Sequence, residues 1–177
     1  MAFCYVNMTK KLKNTKMRFY NIIAAVIALL TLASSCDRID NKTIPSYTVH
    51  IDLSGYALWS VYGVNGMGDY RIFNRDKRIP ANFPYSMNTY TGFGGVLLIM
   101  GIDGPLAYDL SCPVEISQDV ILSINASNFE AVCPRCNSHF DPLMGSGGPI
   151  SGVAINNKVG MRQYHVLPNI GGYIITN

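Results

Sequence analysis

The stretch Val96-Leu97-Leu98-Ile99-Met100-Gly101-Ile102, followed by Asp103-Gly104 and then Leu106-Ala107-Tyr108-Asp109-Leu110, decides the fold. A run with no polar side chain cannot form a strand with one solvated face, so residues 96–102 predict a strand buried on both faces. Asp-Gly is a turn signal, and residues 106–110 then return beside the first run. The pattern continues outward in both directions. Residues 47–53 alternate as Y-T-V-H-I-D-L, residues 58–64 form a second run, and residues 70–73 form a short third. Further on, residues 120–124 and 129–132 flank Asn125-Ala126-Ser127-Asn128, which predicts a hairpin. Residues 151–155, 163–167 and 173–176 complete the set, with Asn156-Asn157 and Gly171-Gly172 as turns. No stretch after residue 45 holds a helical apolar period for three turns. Short strands separated by Gly and Asn predict an all-β antiparallel sandwich or barrel.

Length and charge narrow the classes of function. The chain has 177 residues, 49% hydrophobic and 14% charged, which suits one packed domain and excludes a disordered chain. Its net charge of +3 is unevenly placed. Lys10, Lys11, Lys13, Lys16 and Arg18 all precede residue 36, and every acidic residue follows it, leaving nine basic against eleven acidic residues in the remainder. That remainder has no electrostatic reason to bind nucleic acid.

The basic end, the apolar run 22–30 and the small residues Ala33-Ser34-Ser35 before Cys36 read as a secretory signal over residues 1–35. The apolar run is too short to span a bilayer, which takes about 20 residues. Leu32-Ala33-Ser34-Ser35-Cys36 resembles a bacterial lipobox, with Leu32 one place further from the cysteine than usual. The resemblance implies that Cys36 is the lipidated first residue of the mature chain. Three acyl chains hold a domain to a membrane without spanning it. The expectation is a cell-envelope lipoprotein on the periplasmic side, at the outer membrane. Residues 36–45 (CDRIDNKTIP) read as a polar tether, and residues 46–177 as the domain.

Three cysteines remain in the domain. Cys133-Pro134-Arg135-Cys136 is a C-x-x-C pair whose two sulfurs can face one point, and Cys112 could add a third. His139, three residues after Cys136, would complete a tetrahedral set for zinc. A nucleophilic Cys–His pair is the enzymatic alternative, but a third cysteine beside C-x-x-C favours metal or disulfide chemistry, and no other catalytic constellation is visible. His50 and His165 lie inside alternating strands and read as strand-face or core residues. Arg71, Arg75, Lys77 and Arg78 read as a solvated loop beside Asp69 and Asp76 rather than a docking face for an anionic partner. Gly92-Phe93-Gly94-Gly95 precedes a strand, so it is no nucleotide fingerprint; it suits a tight backbone crossing.

Together these segments resemble the Rieske [2Fe–2S] domain. That family has a first loop reading C-x-H after a strand, a hairpin, a second loop reading C-P-x-H-G-S-x-F-D, a Gly-rich stretch with G-P, and a strand containing Tyr. Here Tyr108-Asp109-Leu110-Ser111-Cys112-Pro113-Val114 corresponds to the first loop, and Cys133-Pro134-Arg135-Cys136-Asn137-Ser138-His139-Phe140-Asp141 to the second. Gly145-Ser146-Gly147-Gly148-Pro149 and Tyr164 follow in order. The resemblance implies a Rieske-like domain with a small two-loop metal-site subdomain over about residues 112–152. It also implies that Ser138 hydrogen-bonds sulfur at the centre. Both family histidine positions are replaced, by Val114 and Cys136. Four outcomes stay open: one ion such as Zn²⁺ on Cys112, Cys133, Cys136 and His139 or water; a [2Fe–2S] cluster on three cysteines and one other ligand; a disulfide with no cofactor; or free thiols. The strongest functional expectation is iron–sulfur electron transfer. The alternative is a non-redox interaction lipoprotein braced by its cysteines. The sequence names no protein partner.

Overall fold

The structure is a computed structural model, and it describes residues 38–177. The signal segment and Cys36 lie outside the described residues. The strands are β1 (Val49–Leu53), β2 (Tyr70–Phe73), β3 (Tyr90–Thr91), β4 (Val96–Met100), β5 (Pro105–Asp109), β6 (Ser123–Ile124), β7 (Ala131–Val132), β8 (His139–Asp141), β9 (Gly148–Ser151), β10 (Gln163–Asn169) and β11 (Gly172–Thr176). Two short helices, α1 (Tyr56–Tyr62) and α2 (Val153–Asn157), complete the elements. The fold is all-β, as the alternation and turn residues predict.

Seven strands form one antiparallel sheet in the order β2-β4-β5-β10-β11-β1-β3, and β6-β7-β8-β9 form a second. The large sheet curls until its edges nearly meet. Arg75 closes the seam: its backbone N–H donates to Thr91 Oγ1 at 3.2 Å, and its guanidinium donates to the Thr89 carbonyl at 3.0 Å. Arg71 pairs with Asp69 at 2.7 Å. Two cations of the basic stretch are thus used by the domain itself. Both histidines stand on the strand face, one on each side of Thr176 across β1, β11 and β10.

β4 lies between two cores. Val96 and Leu98 point into the barrel with Ile51, Leu53, Phe73 and Ile175. Leu97 and Ile99 point the other way, toward Tyr108, Leu110, Phe140 and Met161. All four are fully buried, which stabilises the fold by roughly 2 kcal/mol per side chain. The second core also contains Cys112 and Cys133. The sulfur site is therefore part of the packing between the barrel and the small sheet.

Two runs expected as strands are helices. Residues 58–64 overlap α1, where Trp59 and Tyr62, three apart, pack against Tyr173 and Phe83 with ring centroids 4.5 and 5.1 Å away. That spacing is helical, and two half-buried rings suffice to hold so short an element. Residues 151–155 overlap α2, of which only Ala154 is buried. The hairpin around residues 125–128 forms, but its ladder is two residue pairs long, Ser123↔Val132 and Ile124↔Ala131.

The polar segment before β1 is bound rather than free. Asp40 forms a parallel bridge with Val159, with Asp40 N–H donating to the Lys158 carbonyl at 2.8 Å and Gly160 N–H to the Asp40 carbonyl at 3.0 Å. The Asn41 amide donates to the Ser146 carbonyl at 2.8 Å, Arg162 donates to the Ile44 carbonyl at 2.8 Å, and Ile44 is fully buried. A tether reading of residues 36–45 thus overstates the free length, because composition cannot show that Ile44 has a place in the core.

Candidate metal centre

The first loop begins where β5 ends, and a buried carboxylate sets its start. Asp109 is fully buried. Its Oδ1 accepts from Gly94 N–H at 3.0 Å and Ser111 N–H at 2.7 Å. Its Oδ2 accepts from Phe93 N–H at 2.9 Å and the Tyr164 hydroxyl at 2.6 Å. Burial pushes this carboxyl above the usual range, against the downward pull of Tyr164 and of the Ser111, Phe93 and Gly94 amides. The Gly92–Gly95 stretch is the tight crossing that its glycines suggest. A Cβ at Gly94 would lie 2.6 Å from the Ser111 backbone nitrogen. Cys112 follows, its N–H donating to the Val120 carbonyl at 3.0 Å and its carbonyl accepting from Ile116 N–H at 2.9 Å.

The second loop is a tight turn between β7 and β8. Cys133 N–H donates to the Ser138 carbonyl at 2.9 Å, and Asn137 N–H donates to the Cys133 carbonyl at 3.1 Å. Asn137 has φ +52°, a left-handed conformation that Asn tolerates better than most residues. Gly152 seals the loop from outside; a Cβ there would lie 2.7 Å from the Ser138 Cα. The Gly-rich stretch thus permits close passage over the sulfur loop. Across the two loops, Arg135 pairs with Glu115 at 3.3 Å on the surface, a contact worth little by itself.

These two loops bring three sulfurs together. The Sγ atoms of Cys112, Cys133 and Cys136 all lie within 4.8 Å of one another, and those of Cys112 and Cys136 are 3.7 Å apart. Cys112 and Cys133 are buried and Cys136 is half-buried; all three are free of disulfides. An S–S bond is about 2.05 Å long, far below the separation seen here.

Two hydrogen bonds reach the sulfurs. The Cys136 N–H donates to Cys133 Sγ at 3.5 Å. Ser138 is fully buried, and its Oγ accepts from the Cys136 thiol at 3.3 Å and from the Ala154 N–H at 3.2 Å. Burial pushes the Cys112 thiol up to about 12, and the N–H groups of Glu115 and Val114 at its sulfur oppose that shift. At Cys136 burial also raises the value, but the Ser138 hydroxyl and amide and the two other sulfurs outweigh it, and the thiol sits below its ordinary range. One accessible, easily ionised sulfur beside two buried ones can capture a cation first and draw the others in.

His139 does not join the group. In β8, Phe140 turns into the core and His139 faces the other side, opposite Val132. Its Nδ1 lies 2.6 Å from Glu130 Oε2. Spacing from Cys136 suggested a ligand, but strand alternation outranks spacing here. Glu130 and Asp109 were the polar residues that no sequence pattern singled out. Asp109 acts on amides 15 and 16 positions away, and nothing local signals such a pairing.

The donor set can be tested against the two metal chemistries. A Rieske-type [2Fe–2S] centre takes two protein donors at each iron, and donors to different irons straddle the iron–iron axis. This chain offers three sulfurs converging on one point, and among the described residues no fourth His, Cys, Asp or Glu joins them. The set falls one donor short of that centre. It does fit a single ion: tetrahedral zinc with Zn–S of about 2.3 Å separates its sulfurs by about 3.8 Å, and the Cys112–Cys136 separation is 3.7 Å.

No protein-family model matches the chain. No curated protein matches it either. Among solved structures it is similar to the ferredoxin of carbazole 1,9a-dioxygenase from Nocardioides aromaticivorans IC177, at 15% identity and a TM-score of 0.39, over 72% of this chain and 96% of that one.

Proposed function

We propose that this chain is a lipid-anchored protein of the cell envelope whose Rieske-like domain holds one soft metal ion, zinc in the first place, on Cys112, Cys133 and Cys136. The observation that carries this reading is the convergence of the three sulfurs within 4.8 Å of one another. Thiolates suit such ions, and three protein ligands leave a fourth position for water. The ion fastens the first loop to the second, so its main effect is on the shape and stability of the surface they form. That favours a non-redox interaction role for the domain. Electron transfer through a cluster is the competing reading, supported by the order of the two loops and by the Ser138 hydroxyl at Cys136 sulfur.

The two readings differ in stoichiometry. Protein purified without oxygen is expected to carry one zinc per chain, no acid-labile sulfide and no visible absorption. Two irons and two sulfides per chain, with bands between roughly 400 and 600 nm, would establish the cluster instead. The membrane anchor is supported by the lipobox-like segment ending at Cys36. Among the described residues, no helix is long and apolar enough to cross a membrane.

A further inference from the structure

We infer that the domain sits directly against the bilayer, seated through the corner where residues 39–44 join it; this rests on the reading of Cys36 as the lipidated residue. The segment 36–45 looks like a spacer of some ten residues, which could hold a domain up to about 35 Å from its anchor at 3.3–3.6 Å per residue. The bridge Asp40↔Val159 removes most of that freedom. Between Cys36 and Asp40 lie only Asp37, Arg38 and Ile39. Four peptide steps reach at most about 14 Å. An acylated cysteine lies at the level of the lipid headgroups, so a leash this short keeps Asp40 within about 14 Å of them, and the far side of a domain roughly 30 Å across cannot turn to the bilayer.

The corner has the chemistry of a seat. Ile39 is 40% exposed and Met144 is 65% exposed. A Cβ added at Gly148 would meet both Ile39 Cδ1 and Ser146 Oγ, and Met144 stands two residues before Ser146, whose carbonyl holds Asn41. Exposed apolar side chains near the anchor gain by entering the headgroup boundary, whereas elsewhere on the domain they would not reach it. The other end of the barrel faces away. β1 runs about 14 Å from Val49 to Leu53, and α1 follows it there, with Trp59 half-buried against Tyr173. Asp109 N–H donates to the Arg162 carbonyl, and Arg162 in turn holds Ile44, so the cysteine loops leave the barrel from the membrane side.

Trp59 is the chain's one tryptophan and reports on the far end. The full lipidated chain is reconstituted in phosphatidylethanolamine–phosphatidylglycerol vesicles with brominated acyl chains. Native fluorescence from Trp59 should be unquenched. In the double variant Trp59→Phe/Met144→Trp, emission should fall at least twofold, and a Gly-Ser insert of a dozen residues after Asp37 should restore it. Flotation with the vesicles but no quenching of the double variant would overturn the seating alone. Failure of the native chain to float, or unchanged flotation of Cys36→Ser, would overturn the anchor and the seating with it.

Discussion

Replacing Cys133 by serine is expected to abolish zinc retention and lower the melting temperature by at least about 10 °C. Cys133 is buried in the core between the barrel and the small sheet and supplies the more deeply buried of the second loop's two sulfurs. Structural zinc sites release about 10 kcal/mol or more on binding, and all of it acts on the folded state when the unfolded chain has no site. Part of that energy is used to deprotonate three thiols and order two loops, so a net loss of roughly 4 kcal/mol is a restrained expectation. The control is a chelator. Native protein treated with chelator should melt near the variant, and the variant should not respond. An equal melting temperature for native and Cys133→Ser protein would mean that the sulfurs do not brace the loops.

The second large effect falls on a residue that touches no metal. Asp109→Asn is expected to lower stability by about 4 kcal/mol and the melting temperature by about 15 °C. The two oxygens of Asp109 face only donors: three backbone N–H groups and the Tyr164 hydroxyl. An asparagine must turn its amide nitrogen toward one pair of them, placing donor against donor in a site without water access. Because Ser111 N–H is one of these donors, the start of the Cys112 loop loosens as well. Zinc affinity should fall by about 10- to 100-fold, the range for outer-shell partners of metal ligands. Asp103→Asn, on an exposed turn, should change stability by less than about 0.5 kcal/mol. A similar small change for Asp109→Asn would show that its oxygens do not organise the crossing.

The parts of this molecule that were legible in the sequence are those where one local pattern dominates. Residues 96–102 announce burial on both faces because the run has no polar side chain, and β4 does divide between two cores, although it ends at Met100 and leaves Ile102 exposed on the turn. The cysteines are legible because few side chains share their chemistry, and two loops suffice to gather them. Elsewhere two patterns competed. Leu58-Trp59-Ser60-Val61-Tyr62 reads as a β-rich run by composition, yet its two aromatic anchors stand three apart and the segment coils. His139 has a ligand's spacing from Cys136 and a strand's alternation, and alternation wins because Phe140 must be buried. The remainder depends on distant partners. Ile44 looks like an isolated apolar residue in a polar tether until Arg162 takes its carbonyl. Asp109 looks like any strand-end carboxylate until the glycine loop arrives above it. Such pairings are fixed by topology, which short-range patterns do not contain.

The central claim is that three sulfurs serve one ion. X-ray absorption at the metal edge of protein purified without oxygen tests it directly. The expected spectrum has three sulfur neighbours at about 2.3 Å, one oxygen or nitrogen neighbour, and no metal neighbour. A second metal in the shell, or imidazole nitrogens in place of one of the sulfurs, would contradict it.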